Sequence, residues 1–396
     1  MIEVEQAYET LAAWCREREY AGHDPFDGLN SRLFQATPLK KTRAARLVWT
    51  QAFKRSPVDV RSLVGVPAGR NAKGTALFAL AALSRFRATG TKETGGEARA
   101  LLDELLAARL NGWSGACWGY NFDWQGRAFF APQGTPTVVP TAFAAQALID
   151  AARTFNDEKY LRAARSACDF ILHDLNRSEE SADEICFSYT PLDRTRVFNA
   201  SLLAGEVLAS VGALTKEADL LSAAMRAARY VVRRQRADGS WAYGAADFQT
   251  WADNFHTAFV LTSLARIMRA SEAARTEFAK SLGRGSEFWR EHFFLADGWP
   301  KYYHDSQYPA DAHSAGAGIV ALVELKSLLP DALPLADRIA RWTFAHLRDP
   351  RRGFFYYQRR RFYTVRTPYM RWTQAWMLYA LARLIEIAEC GMRDVE

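Results

Sequence analysis

The chain has 396 residues, 49% of them hydrophobic, enough to bury a large core and, by length alone, to build two or three ordinary domains. No run of about 18 uncharged apolar residues predicts a membrane span, and five cysteines (Cys15, Cys117, Cys168, Cys186, Cys390) without a CxxC pair read as reduced thiols rather than a disulfide framework or zinc site. The net charge of +7, from 51 basic and 44 acidic residues, is largely an arginine excess (Arg351, Arg352, Arg359, Arg360, Arg361) that suits a basic cleft attracting carboxylated sugars or phosphates, and nothing resembles a base-reading module for nucleic acid.

The first 20 residues read as an amphipathic helix with Glu3, Glu5 and Glu9; they lack the basic start and apolar run of a signal peptide, so a cytoplasmic location is expected. Tyr20–Ser31 stands outside any pattern and joins this helix to another around 38–54, a candidate irregular hairpin. Helical spacing then recurs over 76–87, 140–153, 158–175, 199–213, 216–235, 255–270, 312–328 and 369–388. Strand-like alternation is almost absent, and the class is all-α.

These helices repeat. Apolar helices opening on a small hydroxyl residue start at Thr75, Thr141, Ser201, Thr257, Ser314 and Thr373, with separations of 66, 60, 56, 57 and 59 residues. Each is followed by a more charged helix, as in EKYLRAARSACDFILHDL. The alternation predicts a single-domain α/α toroid over 1–396, of six or seven hairpins, with an apolar inner ring and an outer ring wet on one face. Between hairpins lie aromatic loops in the same period: Trp118/Tyr120, Phe187/Tyr189, Trp241/Tyr243, Trp299/Tyr302 and Phe355/Tyr357. The first aromatic of each pair reads as a plug between helices.

A closed ring would converge the polar side chains that open the inner helices: Asn199, Asp253, Asn254, His256, Asp311, His313 and Arg371. Asn and Asp there also suit helix capping. His256 and His313 each stand directly before the hydroxyl residue, and histidine is the side chain type best suited to carry protons near neutral pH. The loop GYNFDWQGR offers Tyr120, Asn121, Asp123 and Trp124, mixing stacking faces with the polar partners sugar hydroxyls need. WPKYYHD adds Lys301, Tyr302, Tyr303 and His304, and the stretch 361–372 adds Tyr369 beside Arg371. No pattern for a phosphate loop, HExxH, nucleophile elbow or EF-hand occurs, and neither metal nor cofactor is predicted.

QRADGSWAYG (235–244) resembles the QxxDGSW repeat of squalene-hopene cyclase and related prenyltransferase-type toroids, although neither the DxDD acid motif nor the zinc ligands of those families is present. The chain as a whole, through YAGHDPFDGLNS, WGYNFDWQ and DNFHTAF, is similar to bacterial proteins encoded among exopolysaccharide and surface-polysaccharide synthesis genes. That resemblance implies the toroid and a polysaccharide setting, with no catalytic residues to carry over. Toroids of this shape also serve glycoside hydrolases, polysaccharide lyases and sugar epimerases.

Three readings follow. The first is an enzyme on an acidic, uronic-acid-containing oligo- or polysaccharide, cleaving by β-elimination or inverting C5. Tyr302, Tyr303, His256 and His313 would carry protons, Arg371 or Lys301 would neutralise the carboxylate, and Trp118, Trp124 and Trp241 would form stacking walls. The second is a glycoside hydrolase using two of Asp24, Asp27, Asp123, Asp253 and Asp311. The third is a noncatalytic glycan-binding scaffold.

Overall fold

In the computed structural model, which describes residues 1–393, helix α1 (Ile2–Arg16) is followed by a mostly irregular segment carrying α2 (Arg32–Gln35) and α3 (Arg43–Arg55). Helices then come in pairs: α4 (Ala72–Thr89) with α5 (Lys92–Ala107), α6 (Val138–Phe155) with α7 (Glu158–His173), and α8 (Phe198–Thr215) with α9 (Ala218–Val232). α10 (Asn254–Ala270) with α11 (Glu272–Phe293) and α12 (Ala312–Glu324) with α13 (Ala332–Leu347) complete the pairs, and α14 (Ala375–Arg393) stands last.

The even-numbered helices from α4 to α14 pack each on the next, and α14 packs on α4, so the inner ring closes. Among the described residues no outer helix follows α14, where the sequence pattern predicted one; α1 packs behind it and supplies the sixth outer helix. The toroid is therefore (α/α)6. The expected hairpin around 38–54 is no seventh pair, because α3 lies over one open end of the ring, where Leu47, Gln51 and Lys54 face the interior.

Burial explains the two kinds of helix. α4 is buried without a break from Ala72 to Ser84, and α8 from Phe198 to Ala209. α8 has the length and hydropathy to cross a membrane, but 78% of it is buried within the ring, which accounts for its apolarity. α7 instead buries one stripe, Tyr160, Ala163, Ala164, Ala167, Phe170 and Ile171, at the 3–4 spacing of a helix with one wet face.

The hydroxyl that opens several inner helices has a structural task. Thr141 Oγ1 accepts from the Trp118 backbone N–H (3.1 Å), and Ser201 Oγ from that of Phe187 (3.1 Å). Gln374 Oε1 does the same for Phe355 (2.8 Å). In these three loops the first aromatic is thus pinned to residues that open the next inner helix, and Trp118, Phe187, Trp241 and Phe355 are all buried.

The loops also hold short strands that the sequence pattern did not announce. β1 (Trp124–Gln125) pairs with β2 (Phe130–Ala131), and β3 (Arg177–Glu180) with β4 (Ile185–Phe187). β5 (Lys301–Tyr303), β6 (Ser306–Asp311), β7 (Gln358–Arg359) and β8 (Thr364–Val365) form an antiparallel sheet in that order, with Lys301 opposite Ala310 and Asp311 opposite Gln358. Strands of two to six residues are too short to show a period of two.

At the other end, where the inner helices finish, arginines and glutamates interlock. Arg266 bridges Glu206 (2.6 Å) and Glu324 (3.0 Å), while Glu386 joins Arg87 (2.6 Å) to Arg383 (2.7 Å). Burial alone would raise the Glu324 pKa, but Arg266, Arg269 and Arg383 together hold it far below the usual carboxylate range. Removing one partner of a buried ion pair leaves the other charge uncompensated, so Glu324→Gln should lower the free energy of unfolding by about 3–5 kcal/mol. Urea unfolding measures this, and a loss near zero would show that the rim does not depend on the network.

Candidate active site

All six inner helices begin at the roofed end, and their N-termini surround a cavity of about 340 Å³. Such ends present unpaired backbone N–H groups and a positive field. Side-chain caps answer part of that need: Asn71 accepts from Gly74 N (2.8 Å), Asp253 from His256 N (3.0 Å) and Asp311 from Ser314 N (2.7 Å).

Asp253 does more than cap. Its Oδ2 lies 2.7 Å from His256 Nδ1 and accepts from Trp251 Nε1 at 3.1 Å. A carboxylate offers only lone pairs, so in the neutral imidazole Nδ1 carries the proton and Nε2 keeps a lone pair. Nε2 has no hydrogen-bond partner among the described residues, and the His256 side chain, 23% exposed, lines the cavity. The ring is held between Phe255 (4.0 Å between centroids) and Tyr243 (4.7 Å), and Tyr243 stacks on Trp251. An oriented imidazole with one free nitrogen is equipped to take a proton and return it.

The walls are tyrosine-rich. Tyr120, Tyr189, Tyr243 and Tyr302, the second aromatics of four successive loops, all face the cavity, and burial pushes every one of their phenols well above the ordinary value. They stay protonated at neutral pH, each with an O–H able to donate a hydrogen bond. Trp124 packs edge to face on Phe129 (5.1 Å) and beside Tyr189 (4.9 Å), giving the cavity a flat apolar surface. Asp24, from the roof, is 2% exposed, and burial raises its pKa despite Arg371 nearby. One oxygen accepts from Phe26 N (3.0 Å).

Of the residues singled out from sequence, Asp253, His256, Tyr302, Tyr303, Tyr120, Trp124, Asp24 and Asn199 line the cavity together. Others lie apart, each for a physical reason. His256 is the third residue of α10 after its cap, whereas His313 is only the second of α12. One residue turns a helix by about 100°. His313 is accordingly fully buried, stacked on Trp372 (4.1 Å), with neither ring nitrogen bonded, and burial lowers its pKa far below normal. Asp311 caps α12 behind the wall, and burial lifts it to about 6.

Arg371 does not reach the cavity: it is 2% exposed and ion-paired to Asp27, with Asn121 as its second acceptor. Asp27 also takes Arg61 Nε (2.8 Å); burial opposes its ionisation, but His23 and the two guanidiniums prevail and hold its pKa below the carboxylate range. Asp123 is spent on Gln133 N (2.8 Å) and Gln35 (3.3 Å), and Asn254 on Trp289 (2.8 Å) and the Lys301 carbonyl (2.9 Å). Lys301 donates to the His304 carbonyl within its own hairpin, and His304 packs on Phe288 (5.7 Å). Trp118 and Trp241 are inter-helix plugs whose indoles donate to Leu105 O (2.8 Å) and Val231 O (2.9 Å), so neither is a stacking wall. Tyr369 is buried against Arg61 (4.6 Å) and Tyr357 (5.0 Å).

Among the cavity residues that escaped the sequence reading are both of its lysines: Lys73, the second residue of α4, and Lys54 of α3. For Lys73 a signal existed, since a lone lysine opens an otherwise apolar inner helix at the place where Asn199 opens α8. Burial lowers both amines to about 8.

No protein-family model matches the chain, and no curated protein matches it by sequence. Solved structures do resemble it. A cellobiose 2-epimerase from Bacillus thermoamylovorans superposes with a TM-score of 0.63 at 11% identity, over 80% of this chain and 88% of that one. An unsaturated glucuronyl hydrolase from Bacillus sp. GL1 gives 0.62 at 14% identity, over 96% and 94%. An α-mannanase of glycoside hydrolase family 76 from Bacteroides thetaiotaomicron gives 0.61 at 15%, over 82% and 88%. At these identities the likeness is one of fold: the chain has the architecture of the α/α toroids.

Proposed function

We propose that this protein is a carbohydrate-active enzyme that removes a proton from the carbon beside a sugar carboxylate, acting on uronic-acid-containing glycans as a lyase or C5-epimerase. The observation that carries this reading is the Asp253–His256 pair, with its free Nε2 on the wall of an aromatic cavity. His256 would take the C5 proton. In elimination the C4–O bond then breaks and its oxygen takes a proton from a neutral phenol such as Tyr302; in epimerisation C5 is reprotonated from the opposite face.

Charge distribution supports an anionic substrate. Residues 28–71 and 351–371, which contribute the roof and the β7–β8 hairpin, contain 16 of the 51 basic residues and one of the 44 acidic ones, leaving the remainder of the chain net negative. Such a field favours entry of polyanions. The cavity is at the small end of ligand sites, about 300–1,000 Å³, which suits a chain end or short saccharide. The solved neighbours, all named for carbohydrate substrates, support sugar chemistry by fold analogy. Placement in polysaccharide synthesis rests on the sequence resemblance.

A two-carboxylate hydrolase is less well supported, because Asp27, Asp123 and Asp311 do not line the cavity and, of the two described carboxylates that do, Asp253 has both oxygens engaged, leaving Asp24 with one free. Incubation of the protein with uronate oligosaccharides in deuterated water should give deuterium at C5 or unsaturated ends absorbing in the ultraviolet. His256→Gln should slow either signal about 10²–10⁴-fold. Asp253→Asn, which frees the wrong tautomer, should also cost a large factor, up to about 10⁴-fold. Release of reducing ends with neither signal would sink the reading in favour of hydrolysis.

A further inference from the structure

We propose that Lys73, assisted by Lys54, is the site that holds the substrate's carboxylate. The inference rests on the sugar-acid reading and deepens it, because both cations suggested by sequence, Arg371 and Lys301, are engaged elsewhere.

Lys73 is 3% exposed yet lines the cavity. Among the described residues no carboxylate lies within 4.0 Å of its ammonium and no hydrogen-bond acceptor is in reach, although Asp24 acts on it from farther off. Its surroundings are aromatic faces: Trp372 at 4.3 Å, Phe143 at 5.5 Å and Trp376 at 5.9 Å. Rings attract a cation but accept none of its three N–H groups in the way an oxygen does. A buried ammonium with its donors unfilled is costly. An oxyanion in the cavity would fill them.

Lys54 approaches from the roof. Its ammonium sits over Phe26 (4.6 Å) and Tyr302 (6.0 Å), and it too lacks an ion pair among the described residues. Phe26 meets Trp372 edge to face at 5.2 Å, so the two lysines flank one aromatic wall. Arg55 and Arg127, exposed at the mouth, are left for the rest of a polyanionic chain.

Calorimetric titration tests this with three probes: glucuronate, glucose and glucose 6-phosphate. Near neutral pH the wild type should bind glucuronate at least about tenfold more tightly than glucose, a difference of roughly 1.4 kcal/mol. Lys73→Met should abolish that preference while leaving glucose binding intact, and Lys54→Met should weaken it. Because both amines fall to about 8, glucuronate binding above that pH should take up protons, visible as a dependence on buffer ionisation enthalpy, and glucose binding should not.

Folding of Lys73→Met is checked by melting. A Lys whose pKa is lowered on folding destabilises the native state below that pKa, and the penalty fades as pH rises towards the unfolded value. The variant should therefore melt higher than wild type near pH 7, with the gain shrinking as pH rises above about 8. Equal affinity of the wild type for glucuronate and glucose, or an acid preference kept in both variants, would overturn the proposal. Preference for glucose 6-phosphate would overturn the carboxylate assignment. Acid preference without turnover would instead leave the lysine site standing and sink the proton-transfer reading, and binding of no sugar would sink both.

Discussion

An inner helix surrounded by other helices has nowhere to send its polar backbone except along its own axis, and the rest of the molecule answers that constraint. Each inner helix of this toroid is apolar on nearly every side, so its unsatisfied N–H and C=O groups collect at two ends. The ends are handled differently. At the C-terminal end, arginines complement the negative field and are themselves balanced by Glu206, Glu324 and Glu386, which seals that face with charge. At the N-terminal end α4, α10 and α12 are capped by the amide or acidic side chains Asn71, Asp253 and Asp311, and the space above stays open.

That asymmetry gives the cavity its chemistry. A cap must be an acceptor, and Asp253 is an acceptor with a second oxygen to spare; His256, one turn along, takes it. The same carboxylate thus satisfies the backbone and fixes a tautomer. The pinning of Trp118, Phe187 and Phe355 by residues of the following helix turns the next aromatic, two residues on, towards the lumen in the loops of Tyr120 and Tyr189. Packing and site are built from one repeating unit.

The legibility of the sequence follows from the same facts. A wholly buried helix writes itself as an unbroken apolar run, so the ring, its period and its hydroxyl markers could be read directly. The number of hairpins could not, because the sixth is assembled from α14 and α1 across the length of the chain. Among the residues that line the cavity, Asp253, His256 and Trp124 were legible because they depart from the repeat, and Tyr302 because it keeps it. His313 misled, since alignment on the hydroxyl residue hides the one-residue shift in the capping position. Arg371 misled as well: its partner Asp27 lies 344 positions away, and no local pattern records that pairing. Lys54 belongs to the roof, outside the repeat altogether.

The seam between α14 and α4 has a consequence for how such a chain is made. Synthesis makes α4 long before α14, and the helix that closes the ring is the last of those described, so the apolar flank of α4 waits uncovered while some 280 residues are added. Until then the nascent protein is an open arc with two bare edges. Proteins built this way fold against a deadline set by translation, and the interval before closure is when they are most exposed to mispairing with a second arc.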